Sequence, residues 1–339
     1  MTAHRSTLIA VSVAAVLATG SATAQDGLLQ EIIVTAQKRA ESSQDVPISI
    51  VALSGDQLAR TGQNDFLALA GRVPTLQYSQ AGGEAQIYIR GIGSNLLAVG
   101  ADPSVAIHLD GVYLGRPNMG MSQFLDVERV EVLRGPQGTL YGRNATGGSI
   151  NIVSNQPTEE FEGYIGLGTG SFQRYEAKGA LSGSLAEGLT ARIAGRIAND
   201  EGYVKDLDPA GGDRLDDQDL RAMRAILRYA PNDTWAATLS WDQSKFENGN
   251  TAVRPNDDIG TAQVFGAVPT ASILEERNDV PTFMNWETGG PTFTLEYAGE
   301  DPRHVVDAAR ADDEVDVRHA RAHLRAEAHL RGDPCQMGI

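Results

Sequence analysis

Two histidines stand at a spacing that suggests chemistry. His319 and His323 are four residues apart, so on a helix their imidazoles would share one face as metal ligands. A zinc site needs three or four converging ligands, none other is evident near this pair, and no metal is assigned. No GxxxxGK phosphate loop, GxSxG elbow or HExxH pair occurs. Cys335 is the single cysteine, which excludes an internal disulfide. The expectation is a protein with no catalytic residue and no cofactor, hence not an enzyme. A formal net charge of -16, with no basic stripe to neutralise phosphates, excludes a nucleic-acid partner.

The remaining charges of interest sit beside glycines. Arg90 and Arg134 each end a strand-like run immediately before Gly91 or Gly135. Charges placed there are costly unless paired, and Glu128 and Glu131 are candidate partners close by in sequence. Nearer the N-terminus, Ile32, Ile33 and Val34 form a β-prone knot in a polar stretch. An exposed extended segment of this kind can add as a strand to a partner's sheet through backbone hydrogen bonds.

Five stretches of different texture must position these residues. His4 and Arg5, the apolar run Leu8 to Leu17 and the small-residue site Ala22-Thr23-Ala24 read as a secretory signal over 1–24. No later run approaches the ~20 apolar residues of a spanning helix. Residues 25–45 read as a flexible periplasmic arm carrying the β-prone knot. Residues 46–157 read as a small mixed α/β domain. It has a helix opening at Ser54 and another over Gln63 to Leu69. Its strands include Ile48 to Val51, Gln86 to Ile89, Val105 to Leu109, Val130 to Leu133 and Ser149 to Val153. Turns fall at Asp110-Gly111 and Gly135-Pro136.

From 158 to 300, alternating segments recur at Glu162–Gly168, Arg174–Leu181, Thr190–Ala198, Arg224–Tyr229 and Thr234–Trp241, with a sixth starting at Pro291. Gly249 to Gly290 reads as a long loop. Strands of about ten residues with short and long joins alternating are the pattern of a transmembrane β-barrel, although a soluble antiparallel sheet has the same periodicity. Residues 301–339 contain no aromatic residue and no lysine, and hold four of the six histidines. They read as an aberrant tail, text that a GC-rich gene yields out of frame.

The phrases EIIVTA (31–36), QIYIRGIGSN (86–95), VAIHLDGVYLGRP (105–117) and VERVEVLRGPQGTLYGRNATGGSINIVS (127–154) closely resemble the TonB-dependent outer-membrane receptor family. The resemblance covers about residues 31–298 and is most specific over 86–154. It implies a mixed α/β plug followed by antiparallel transmembrane barrel strands, here about five or six and therefore an incomplete barrel. It makes Glu31, Ile32, Ile33, Val34, Thr35 and Ala36 a TonB box, which pairs with TonB and its inner-membrane energising complex. It gives Arg90 and Arg134 partners on the inner barrel wall, so that they lock the plug. Ligand contacts in the family come from plug apices and loops, which points to Gly93, Ser94, Asn95, Arg116 and Asn118.

The function implied is active uptake of a scarce, large nutrient, a ferric siderophore or similar metal chelate, across the outer membrane of a Gram-negative bacterium, with outer-membrane lipid as a further partner. A TonB-linked signalling receptor is the alternative, although that subclass carries an extra periplasmic domain before the box. Barrels need ~8 strands at least, and plugged receptors of this type about 22. The chain as it stands is therefore expected to be truncated and inactive, or a non-functional remnant.

Overall fold

The computed structural model describes residues 33–35, 41–42, 44, 46–61, 65–81, 84–94, 102–116, 124–207, 214–248, 274–276, 282–297, 304–309 and 312–319. The expected signal at 1–24, Glu31, Ile32, Ala36, Asn95, Asn118, residues 249–273 of the expected loop, and 320–339 with His323 and Cys335 lie outside these.

Local chemistry sets the first elements. Strand β1 (Ile33–Val34) pairs antiparallel with β2 (Glu41–Ser42). Strand β3 (Ile50–Ser54) runs into helix α1 (Gly55–Arg60), where the Ser54 hydroxyl accepts from the Gln57 N–H and the Gln57 side chain accepts from the Ser54 N–H, a reciprocal capping box. Asp65 caps α2 (Phe66–Ala70) by accepting from the Ala68 N–H at 2.8 Å. Helix α1 opens where the sequence places it, and α2 starts at Phe66 rather than at Gln63.

Strands β4 (Leu76–Ala81), β5 (Glu84–Ile89) and β6 (Ile92–Gly93) form a small antiparallel sheet. Its β5–β6 turn is Arg90-Gly91, with positive φ at both residues (53° and 78°). Strand β4 is absent from the expectation, because Leu76 and Tyr78 give it only two alternating apolar positions.

Strands β7 (Val105–Leu109), β8 (Val112–Leu114) and β9 (Val127–Arg134), helix α3 (Gly138–Tyr141) and β10 (Gly148–Ser154) complete the plug. The main plug sheet has the order β3-β9-β10-β7-β8, with only β10–β7 parallel. Strand alternation gives this sheet two faces of different chemistry. One carries Val130, Val132, Ile150, Ile152, Val105 and Ile107 into the core, packed against Leu58 of α1 and Phe66 and Leu69 of α2. The other carries Arg129, Glu131, Leu133, Ser149, Asn151 and His108, and is covered near Leu133 by Val34, Val46 and Tyr141.

The second body is an eight-stranded antiparallel sheet. It contains β11 (Glu162–Thr169), β12 (Tyr175–Ala186), β13 (Leu189–Asp200), β16 (Gln218–Tyr229), β17 (Trp235–Asn248), β19 (Thr282–Tyr297), β20 (His304–Ala309) and β21 (Asp312–His319). The intervening β14 (Val204–Asp206) and β15 (Arg214–Leu215) join β18 (Glu275–Glu276) in a separate three-stranded sheet. Strands of 12 to 16 residues rise roughly 40–50 Å, enough to cross a bilayer even when tilted. The sheet is not closed: among the described residues β11 at one edge does not pair with β20 or β21 at the other.

Two expectations are corrected here. The sixth strand starts at Thr282 rather than Pro291, because β17 runs on to Asn248 and its far half pairs with Met284 to Gly290. Segments 304–309 and 312–319 of the expected tail are strands, and both pair with β19. They divide its edge at Gly290-Pro291, where proline has no N–H to offer a ladder. His319 therefore ends a strand, and His323 lies outside the described residues.

The burial pattern decides between a soluble sheet and a membrane wall. On β13, Arg192, Ala194, Arg196 and Ala198 are buried against the plug, while Ile193 and Ile197 point outward and are half exposed. Ile165, Leu167, Leu181, Leu227, Leu239, Trp241 and Phe293 are likewise exposed. Apolar outside and polar inside is the inverse of a soluble sheet and is what a lipid-facing barrel wall requires.

Gly148 is one of the plug glycines that permit a close backbone approach. A Cβ on Gly148, which has φ +153°, would lie 2.2 Å from the Leu133 carbonyl oxygen. Gly148→Ala is expected to cost the plug about 2–4 kcal/mol through backbone displacement. A lowered urea midpoint with an unchanged slope would show it, whereas a wild-type midpoint would show that the neighbouring strand yields freely.

Candidate functional site

Three consecutive plug residues, Phe124, Leu125 and Asp126, are gripped by three arginines of the wall. Arg192 of β13 holds the Asp126 carboxylate in a two-pronged pair, Nε to Oδ2 at 2.6 Å and Nη2 to Oδ1 at 2.7 Å. The Asp126 side chain is 1% exposed and that of Arg192 7%. Arg196 Nη1 donates to the Phe124 carbonyl at 3.4 Å and its Nε lies 3.2 Å from Glu176 of β12. Arg224 of β16 donates to the Leu125 carbonyl at 3.0 Å and pairs with Asp242 of β17.

The local structure presents these acceptors. Asp126 has φ 49°, a left-handed conformation in which it also accepts from Asn155 Nδ2 at 2.9 Å. The Phe124 ring turns into the plug core, edge-on to Phe66 at 5.2 Å. The Leu125 side chain turns the other way and packs on Ala180, Ala194 and Ala222 of the wall. A buried arginine paired this way adds geometric specificity, because its fork matches a carboxylate.

The plug-locking residues expected from sequence are placed differently. Arg90 is exposed in its turn, close to Gly135. Arg134 Nε is buried without a hydrogen-bond partner among the described residues. Arg90 and Arg134 make no ion pair with the wall among the described residues. Glu128 and Glu131 pair instead with Arg129 of their own strand, Glu131 Oε1 accepting from Arg129 Nε at 2.8 Å.

The grip described between plug and wall has its cations on the barrel and its acceptors on the plug. Arg192, Arg196, Arg224 and Asp126 were not singled out from sequence. Their signal was there: arginines in steps of four on a strand whose intervening positions are Ile193 and Ile197.

The described part of the Glu31–Ala36 segment lies on the plug. Val34 is fully buried beside Val46 and Leu133. Thr35 donates its N–H to Glu131 Oε1 at 2.8 Å and its hydroxyl to the same oxygen at 3.2 Å. The sequence predicts an extended but free segment; its described residues are extended and docked. Of the residues suggested for ligand contact, Ser94 and Arg116 line one small cavity with Gln86 and Ser104. Gly93 lies beside it on β6, against the Tyr88 ring.

Together these features define a class: a polar-lined barrel wall holding a globular plug on its inner face, with an extended segment ahead of the plug. The comparisons agree. Residues 42–149 match the TonB-dependent Receptor Plug Domain family. The chain is 34% identical over 211 residues to the pesticin receptor of Yersinia pestis, covering 60% of this chain and 30% of that protein. It is 31% identical over 183 residues to the vitamin B12 transporter BtuB of Vibrio vulnificus, covering 52% and 29%.

Among solved structures it resembles the ferric yersiniabactin uptake receptor FyuA of Yersinia pestis, with a TM-score of 0.69, 27% identity, and coverage of 79% of this chain and 41% of that one. The match to the TonB-dependent receptors through their plug domain covers residues 42–149, and the chain spans about 30% of the length of these curated relatives.

Two outcomes follow from the site. Asp126→Ala leaves Arg192 buried without its carboxylate and is expected to weaken plug docking by about 3–5 kcal/mol. Hydrogen exchange at residues 124–126 would report it as lost protection, while unchanged protection would mean the two carbonyl contacts suffice.

Burial, helped by the Glu131 charge and opposed by the amide that Asn151 donates, pushes the Tyr141 phenol up to about 12. Its folded value lies above the ordinary 10, so this stabilisation is complete below pH 10 and is lost as pH rises towards 12. Tyr141→Phe is expected to flatten that alkaline decline in a pH series of urea midpoints.

Proposed function

We propose that this chain provides the coupling segment, plug and opening wall strands of an outer-membrane receptor for TonB-driven uptake of a scarce, large nutrient. The observation that carries this reading is the docked strand Ile33–Thr35, placed ahead of a plug that is itself held by releasable polar contacts. Such a segment can transmit a pull only if a partner takes it as an added strand, and Ile33 and Val34 are of β-prone residue types that suit this. The apolar outer face of the wall supports lipid as its surrounding medium.

A ferric siderophore or a similar metal chelate is the substrate class we favour. The relatives are named for pesticin, vitamin B12 and ferric yersiniabactin.

The test is disulfide capture. With Cys335→Ser as background, Ile33→Cys should form an adduct with single-cysteine variants of the periplasmic domain of TonB. Adding Ile32→Pro should reduce it roughly fivefold or more by removing a ladder N–H. Capture no better than from a cysteine at the exposed turn residue Ser171 would overturn the reading.

A further inference from the structure

The outward face of the wall carries a pair of charges that the sheet itself disfavours. Arg221 of β16 lies directly opposite Lys245 of β17, and both side chains are exposed. Like charges facing each other across a strand pair repel. Each is offset by a carboxylate two residues away on its own strand, Asp219 at 2.9 Å and Glu247 at 2.6 Å, and exposed ion pairs of this kind are weak. Glu287, opposite Lys245 on β19, accepts from Gln243 Nε2 at 2.5 Å. Asp219 and Glu247 stand on the side of the long joins 201–217 and 249–281, the side that barrels of this kind turn away from the periplasm. Towards the membrane the outward positions become apolar, with Met223, Leu227, Leu239 and Trp241.

Below the two cations the wall is hollowed. Arg221 and Lys245 line a depression of about 540 Å³ together with Gly179, Gly195, Ile197 and Met223. A second depression, of about 690 Å³, continues past Ile193, Ala225, Leu227 and Trp241. Gly195 keeps the first one open. Its φ is not left-handed, and an added Cβ would meet nothing nearer than the Ala222 carbonyl oxygen at 3.9 Å. The fold therefore has room for a side chain there, as at the outward positions Ile193 and Ile197 on either side. A glycine inside a strand weakens it and marks a place where another group approaches closely.

We propose that this face seats one phosphate-bearing lipid of the outer leaflet, with its phosphate between Arg221 and Lys245 and an acyl chain in the hollow over Gly195. The phosphate oxygens accept charge-assisted hydrogen bonds from both cations and offset their mutual repulsion. The acyl chain fills the space that a side chain at position 195 would otherwise take. The seat rests on the lipid-facing reading of the wall and goes beyond it, because a single lipid is selected here by its headgroup.

Trp241 reports occupancy. In the Trp235→Phe chain in detergent micelles it is the outward-facing tryptophan, since Trp286 is buried against the plug. Brominated phosphatidate should half-quench its fluorescence at about tenfold lower mole fraction than brominated phosphatidylcholine. Arg221→Gln combined with Lys245→Gln should bring that ratio close to unity, whereas Lys205→Gln, on a join rather than on the wall, should leave it intact. Gly195→Ile should keep the urea midpoint of the parent chain or raise it. It should also raise the half-quenching fraction of phosphatidate about fivefold, by denying the chain one or two methylene contacts.

A ratio near unity in the parent chain, or a preference that survives the double substitution, overturns the seat. Unchanged quenching in Gly195→Ile overturns the placing of the acyl chain. Loss of the preference on adding inorganic phosphate to Gly195→Ile and parent chain alike would reduce the seat to a site for the free anion. Quenching by neither lipid would remove the lipid-facing reading of the wall as well.

Discussion

A guanidinium cannot remain buried without acceptors, and the barrel wall presents three of them to the plug, on Arg192, Arg196 and Arg224. The rest of the arrangement answers that constraint. Asp126 adopts a left-handed backbone conformation, and its carboxylate meets the fork of Arg192. The carbonyls of Phe124 and Leu125 take the other two. Glu176 and Asp242, on neighbouring wall strands, hold Arg196 and Arg224 from the side. The plug and the wall's own carboxylates together satisfy the arginines of the polar inner face, while the outer face is left to apolar residues.

The plug sheet separates two tasks by face. Its apolar face, with Val130, Val132, Ile150 and Ile107, holds the helices and supplies most of the buried apolar surface. Its polar face carries Glu131, Asn151 and His108 and receives the segment Ile33–Thr35. Strand alternation alone produces this division, since Val130 and Glu131 are neighbours in sequence and point opposite ways. Events on the polar face can therefore occur without disturbing the main core.

Much of this was legible in the sequence. The helix opening at Ser54, the strand Val105–Leu109 and the Asp110-Gly111 turn follow from local chemistry and were found where expected, whereas the second helix starts at Phe66 behind an Asp65 cap rather than at Gln63. The β-prone character of Ile33 and Val34 was also visible, but their docking was not, because it depends on Glu131, 96 residues from Thr35. Arg90 and Arg134 drew attention as charges before glycines, yet an Arg-Gly pair is also what a tight hairpin turn accepts, and Arg90 occupies one.

The polarity of the plug–wall contact was hidden for a similar reason. Arg192 and Asp126 are far apart in the chain, and only register brings them together. Pro291 misled in another way: it reads as a strand start, but β19 passes through it because the neighbouring β17 continues beyond.

The Leu125 contact has a mechanical consequence. Its side chain rests on Ala180, Ala194 and Ala222, residues too short to interdigitate with it. Two surfaces with long interlocking side chains resist sliding, since each step must force rotamers past one another. A leucine on an alanine floor meets almost no such corrugation. At this contact resistance to sliding therefore falls to the arginine grips, whereas Tyr78 and Ala85 of the plug meet the large rings of Trp286 and Phe246 elsewhere on the wall.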